Sequence, residues 1–203
     1  MDYRQYDVVI VGGGVSGLAC GLMLGSGVEM HESALDKRIL ILDNDRSDAK
    51  RGVFNNALGI DKGLDGRELL EKSRSQVLSY KSVTIERATV ITVERIKEDS
   101  FAVTTHKKEV ISATRIVLAT GFRGFHIKGI EVETQRFPRT TNDSRVMLPN
   151  IGYRVSSNFF VCGLLSGHSS QWAIASGSGA QVGIEILSDW AGEWKVVHDK
   201  NGQ

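Results

Sequence analysis

The stretch that constrains this chain most begins at Tyr6, where Tyr6-Asp7-Val8-Val9-Ile10-Val11 runs directly into Gly12-Gly13-Gly14-Val15-Ser16-Gly17. A short apolar run rich in β-branched residues predicts a strand buried on both faces, and therefore a parallel sheet. The glycines follow at its C-terminal edge with the spacing Gly12-x-Gly14-x-x-Gly17, the fingerprint of a dinucleotide-binding strand–turn–helix unit. Gly12 allows the tight turn, Gly14 leaves room for a pyrophosphate to approach the backbone, and Gly17 lets the helix pack close to the sheet. The phosphates then lie on free amides at the helix N-terminus, with Val15 and Ser16 between the glycines.

A chain of 203 residues is long enough for one good core or two small ones. Its 25 basic and 24 acidic residues nearly cancel, and no long basic stretch is interleaved with aromatics, so nothing points to a nucleic-acid surface. No apolar run approaches the length that crosses a membrane. The N-terminus enters the first strand almost at once, which argues against secretion. Cys20 and Cys162 are far apart and form no C-x-x-C pair, which suits a reducing, cytoplasmic setting and denies the chain a local dithiol. The 22 glycines cluster where turns or ligand approach are expected and read as site-forming.

After the first helix, Gly25-Ser26-Gly27 interrupts or ends it, and Val28 to Lys37 is either a helical extension or a loop insert. Ile39 to Leu42 is a second buried parallel strand ending in Asp43, where a βαβ unit places the acid that accepts both hydroxyls of a ribose. The alternative is a solvated strand-end carboxylate. An acid here disfavours a 2′-phosphate, so a nucleotide of the NADP type is not expected. A polar loop from Asn44 to Gly66 leads to Asp65 and Glu68, a capping-box signature opening an amphipathic helix to about Tyr80. Val83 to Ile85 continues as a strand. Thr89 to Val93, Phe101 to Thr105 and Glu109 to Ile111 read as an antiparallel meander, with His106 a surface residue at one of its turns. Ala113 to Leu118 is a further strand running into Ala119-Thr120-Gly121. Phe122 to Tyr153 reads as a long connection with one or two short strands, Phe159 to Gly163 as a last parallel strand, and Gln171 to Trp190 as a long helix.

In this order the features resemble the flavin-binding domain of the thioredoxin reductase-like flavoproteins, within the two-dinucleotide-binding-domain superfamily, over nearly the whole chain. The resemblance implies an α/β fold, a three-layer ββα FAD-binding Rossmann-like domain with a central parallel sheet and an antiparallel β-meander. Residues 1–194 would form one domain from segments 1–121 and 155–194 joined by 122–154, with 195–203 as a C-terminal tail. It also implies FAD as the cofactor and no metal. Gly12, Gly14, Val15, Ser16 and Gly17 would hold the pyrophosphate, and Asp43 with Asn44 the ribose. Thr89 and Val90 would hold the adenine through backbone groups, and Arg51, Asn55 and Asn56 lie on the segment that passes the flavin. Ala119, Thr120 and Gly121 are similar to the family's turn after the meander. Gly163 and Leu164, then Gln171, Trp172 and Ala173, resemble the closing strand and the helix whose N-terminus points at the flavin ring.

Two departures stand beside these matches. Relatives carry a second nucleotide-binding domain, for NADPH, between the Ala119–Gly121 turn and the closing strand; the span from Phe122 to Cys162 holds no Gly-x-Gly-x-x-Gly and no cysteine pair. At Leu164 the family places an aspartate, whose hydrogen bond to the cofactor a leucine cannot replace. The expectation is an FAD-dependent oxidoreductase without a built-in NADPH domain. It would pass electrons from an external donor, a reduced nicotinamide or a redox protein, to a small or protein acceptor. His168 is the candidate proton carrier beside the ring, or an ordinary polar loop residue; Trp172 stacks near the ring or fills the core. The alternatives are a non-catalytic FAD- or nucleotide-binding module or subunit of a larger redox complex, and an NAD-dependent dehydrogenase using the same fingerprint. Loss of a covering domain would expose apolar surface, so a homodimer or higher oligomer is expected, with no nucleic-acid or membrane partner.

Overall fold

The apolar run at Tyr6 forms the second half of a strand whose side chains are buried to either side, and the rest of the sheet assembles around it. In the computed structural model, which describes residues 4–130, 132–138 and 140–198, the elements in chain order are β1 (Arg4–Val11), α1 (Val15–Met30), β2 (Ile39–Asp43), β3 (Val53–Phe54), β4 (Leu64–Asp65), α2 (Gly66–Val77), β5 (Val83–Arg87), β6 (Val90–Lys97), β7 (Ser100–Thr105), β8 (Val110–Leu118), β9 (Gln135–Arg136), β10 (Val146–Met147), β11 (Arg154–Ser156), β12 (Phe159–Val161) and α3 (Trp172–Ala191). Strands β12-β8-β1-β2-β5 lie parallel in that order, with β11 antiparallel at the outer edge. The chain leaves β1 toward β2 and β5, then returns to the far side of β1 as β8. The order therefore reverses between β1 and β8, which is where open α/β sheets bind ligands.

Alternation across the strands builds two cores. Val8, Ile10, Ile39, Ile41, Val117 and Phe160 face the helices, while Val9, Val11, Leu40, Leu42, Ile116 and Leu118 face the meander side chains Val93, Phe101 and Val103. Helices, sheet and meander thus stack as three layers, the α/β fold expected. The sequence reading split β8 in two at Ser112. It is one strand: Val110–Ala113 pairs with β7 while Ile116–Leu118 pairs with β12, and its other edge lies along β1 throughout. A strand shared between two partners carries no break in its own sequence.

Gly25-Ser26-Gly27 does not end the first helix, which continues to Met30 and is followed by a 3₁₀ turn at Glu32–Ala34. These glycines serve packing. A Cβ at Gly25 would stand 2.8 Å from Tyr80, and one at Gly27 2.3 Å from Leu187. The longer helix also sets the separation in sequence between the glycine loop and Asp43. Asp65 caps α2 as expected, accepting from the Arg67 amide at 2.8 Å, but Glu68 pairs with Lys72 at 2.8 Å as an i,i+4 ion pair. Helices α1 and α3 cross in close contact: a Cβ at Gly179 would lie 2.0 Å from the Ser16 carbonyl oxygen, and one at Gly183 2.7 Å from Met23. The connection after Gly121 contains the β9–β10 ribbon, held on the core by Phe122 and Phe137 in edge contact at 5.1 Å. Of the segment read as a C-terminal tail, residues 199–203 lie outside the described residues, while the Lys195 amide donates to Ser188 Oγ at 2.9 Å and Val197 packs on the helix-side core.

Candidate functional site

The turn after β1 is locked between its neighbours. The Gly12 amide donates to the Leu42 carbonyl at 2.8 Å, and its φ of +112° belongs to glycine. Its missing Cβ would stand 2.4 Å from the Ala119 carbonyl oxygen, and that of Gly17 1.9 Å from the Gly12 carbonyl oxygen. The Ala119 amide in turn donates to Val11 at 2.8 Å. Thr120 is exposed beside it, and Gly121 turns the chain away with φ +73°. The closest approach to a side chain falls at Gly13, whose Cβ would lie 2.6 Å from the Asp43 carboxyl carbon, whereas one at Gly14 would meet Ser47 Oγ at 3.2 Å. Gly13 makes room for the acid, and Gly14, half-buried, makes room for Ser47.

Two helices begin at this edge without a cap. Gly14 before α1 and Gln171 before α3 make no side-chain capping bond, and neither first turn holds an acid. Helix α2 is the contrast, capped by Asp65 and carrying Glu68 in its first turn. The first amides of α1, at Val15, Ser16 and Gly17, and of α3, at Trp172, Ala173 and Ile174, thus have no partner within their own helices and stand at the positive ends of the helix dipoles.

A seam joins the two helices at Gly163. It has φ +68°, and a Cβ there would lie 2.4 Å from Ser16 Oγ. Its amide donates to Ser178 Oγ at 2.9 Å, Ser178 donates to the Ala175 carbonyl at 2.7 Å, and Ser166 donates to the Gly163 carbonyl at 2.7 Å. Leu164 sits half-buried in the same turn. Cys162, just before it, and Cys20 are both fully buried. Burial pushes the Cys162 thiol up to about 12 and the Cys20 thiol well above its ordinary value, so neither is a nucleophile toward an external disulfide.

Asp43 is buried, not solvated. One carboxylate oxygen accepts from Arg74 at 2.7 Å and the other from the Asp45 amide at 3.0 Å. Exposed Asn44 accepts from the Arg46 amide at 3.2 Å. Farther out, the Thr89 amide donates to His106 Nδ1 at 3.2 Å and its carbonyl accepts from the His106 amide at 2.8 Å, while Val90 is buried in the meander. His106 is on the surface, as expected, yet it occupies the backbone of Thr89.

Arg51, Asn55 and Asn56 are exposed on the segment between β2 and α2. That segment reaches α3 through Phe54, whose ring meets Trp172 edge-on at 5.0 Å, and it reaches the connection after Gly121 through Asp48 and Arg123 at 3.1 Å. Ala173 follows in the exposed first turn of α3. His168 is exposed and its ring lies 5.3 Å from that of Tyr153, facing the chain before β11. The structure therefore gathers the glycine loop, Asp43, Ala119 and Gly163 at one edge and joins Trp172 to the Arg51–Asn56 segment. The sequence reading missed Gly13, Phe54, Arg74 and Ser178. Gly13 stood inside the motif; the other three gave no local signal.

Among the described residues no helix is long and apolar enough to cross a membrane. Residues 6–163 match the family model described as pyridine nucleotide-disulphide oxidoreductase. A "Probable thioredoxin reductase" of Arthroderma benhamiae is 28% identical over 123 residues, taking in 58% of this chain and 28% of that protein. The chain thus spans under a third of the curated relative it matches. Among solved structures, a thioredoxin reductase from Gloeobacter violaceus superposes with a TM-score of 0.73 at 14% identity, covering 100% of both chains. A ferredoxin-flavin thioredoxin reductase from Clostridium acetobutylicum does so with a TM-score of 0.68 at 13% identity, covering 95% of this chain and 100% of that one. These likenesses are of fold.

Proposed function

Because this chain belongs to the pyridine nucleotide-disulphide oxidoreductase family, we propose that its carboxyl edge holds FAD and that the protein is an FAD-dependent oxidoreductase fed by an external electron donor. The observation that carries this reading is the pair of helices α1 and α3, which both begin uncapped and without acids at the one edge where the glycine loop, Asp43 and Gly163 meet. The glycine loop, Asp43 and the start of α3 fit the cofactor, whereas Leu164 offers it no hydrogen bond and the Thr89 backbone is already engaged by His106. Gly12, Gly14, Val15, Ser16 and Gly17 would bind the pyrophosphate through amides, Asp43 beside Asn44 the ribose, and Thr89 with Val90 the adenine. Gly163, Leu164 and the Ala119–Thr120–Gly121 turn would line the middle of the cofactor. Arg51, Asn55 and Asn56 would flank the ring opposite Gln171, Trp172 and Ala173. When bound, FAD supplies reversible hydride and electron transfer. The amides of α3 favour negative charge beside its N-terminus, Trp172 with Phe54 shields one side from water, and His168 is the candidate to hold or move a proton.

We read residues 1–194 as one FAD domain, working without a nicotinamide domain inserted after Gly121. Exposed Val53, Leu58 and Ile174 make self-association the expected state, which a monomer by light scattering would remove. The second reading, a binding module without turnover, is favoured by the two buried thiols, which give the chain no disulfide chemistry of its own. Anaerobic titration of the FAD-loaded protein with NADH, NADPH and reduced ferredoxin separates the two. Bleaching by one donor, with repeated reoxidation by a disulfide, a quinone or oxygen, is the expected result. A flavin that none of them reduces overturns the enzyme reading and leaves the module.

A further inference from the structure

Beyond the C-terminal ends of β2 and β5 lies a cleft of about 350 Å³, lined by Arg46, Arg87, Lys107 and His106 together with Ala88 and with Asn44 and Thr89 of the proposed adenosine site. It adjoins the ribose acid directly. Arg87 is the register partner of Asp43 across the β2–β5 pair, and the Ala88 amide donates to the Asp43 carbonyl at 3.0 Å. The charges here do not balance locally. Asp43 is taken by Arg74 and Asp45 by Lys50, whose hydrogen bond, with Arg87 and Arg74 adding at longer range, holds the Asp45 carboxyl below its ordinary range. Among the described residues Arg46, Arg87 and Lys107 make no ion pair, and no acid lines the cleft.

A flavin or NAD nucleotide has no use for these cations, because its adenosine end is neutral and its pyrophosphate belongs at the glycine loop. A phosphate on the ribose does. An acid at the end of the second strand ordinarily repels such a phosphate, and an arginine nearby ordinarily accommodates it. In this chain Arg74 neutralises the acid and the arginines stand beyond it, so the sequence-based exclusion of the NADP type loses its premise. We infer that the nucleotide site accepts adenosine nucleotides carrying a 2′- or 3′-phosphate on the ribose, with that phosphate in the Arg46–Arg87–Lys107 cleft, and that such nucleotides compete with FAD for the site. The inference rests on the reading that the glycine loop and Asp43 hold an adenosine diphosphate.

Calorimetric titration of the flavin-free chain with ADP, adenosine 2′,5′-bisphosphate and adenosine 3′,5′-bisphosphate tests it and tells the two phosphate positions apart. One bisphosphate should bind at least about ten-fold tighter than ADP and displace FAD. In the double variant Arg46→Ala/Arg87→Ala, and separately in Lys107→Gln, the bisphosphate should lose that advantage, binding no tighter than ADP does to the same variant, while FAD still binds. These are surface positions, so folding is preserved. ADP and both bisphosphates binding alike, or all weakening by the same factor in the variants, overturns the inference and leaves the FAD reading standing. Failure of ADP and FAD alike to bind overturns both.

Discussion

With Arg74 on one carboxylate oxygen and the Asp45 amide on the other, Asp43 holds α2 and the following loop against the end of β2 while facing the nucleotide edge. Asp43→Asn keeps the shape, removes the charge and leaves partly buried Arg74 with only the longer, 3.9 Å pairing to Glu71. Urea unfolding should show a loss of about 1–3 kcal/mol, and FAD should bind at least about ten-fold more weakly. Cys162 carries a pH signature instead. Its folded value, near 12, lies above that of an unfolded thiol, so its contribution to stability is full below about pH 8.5 and declines as pH rises toward the folded value. The decline is up to about 1.4 kcal/mol per pH unit for each buried thiol, and Cys20 adds to it in the same direction. Urea midpoints at neutral pH and at about pH 10 measure it, and Cys162→Ala should reduce the difference to the part that Cys20 contributes. At this scale the sequence was legible where a residue's role is set by its own backbone, as at Gly12 and Gly17. It was not legible for Arg74 or Ser178, whose partners arrive from distant elements and leave no periodic trace.

Helices α1 and α3 turn on glycines that look alike in the sequence and differ in space. Gly177 faces open surroundings, whereas the Cβ of a residue at position 179 would meet the Ser16 carbonyl at 2.0 Å. Gly177→Ala should therefore stabilise the chain by about 0.5–1 kcal/mol through helix propensity. Gly179→Ala should destabilise it by about 1–3 kcal/mol or more, because α3 must lift off α1. Chemical unfolding of the two variants side by side reads both signs. Displacing α3 also moves Ser178 off the Gly163 amide, so the second variant should lose flavin affinity as well. The same ambiguity explains the misreading of Gly25 and Gly27. A glycine inside a helix signals a break or a close neighbour with the same letter, and only the neighbour, Tyr80 or Leu187, decides. Where the signal was a cap followed by a periodic apolar face, as at Asp65, the element was legible to within a few residues.

Over the whole molecule, the buried parallel strands and the meander were legible because burial on both faces writes continuous apolar runs at Val8–Val11 and Ile39–Leu42. The double service of β8 and the path of the connection after Gly121 were not, since both depend on which partner a strand finds. The three-layer arrangement leaves two uncapped helix ends and a glycine seam converging on one edge, the edge proposed to hold FAD. The most direct test is the visible spectrum of the purified chain after incubation with excess FAD and removal of the unbound cofactor. The purified chain should retain an oxidised-flavin spectrum at stoichiometric level, with unfolding shifted upward by excess FAD as ligand linkage requires. A colourless protein whose unfolding is indifferent to FAD would contradict it.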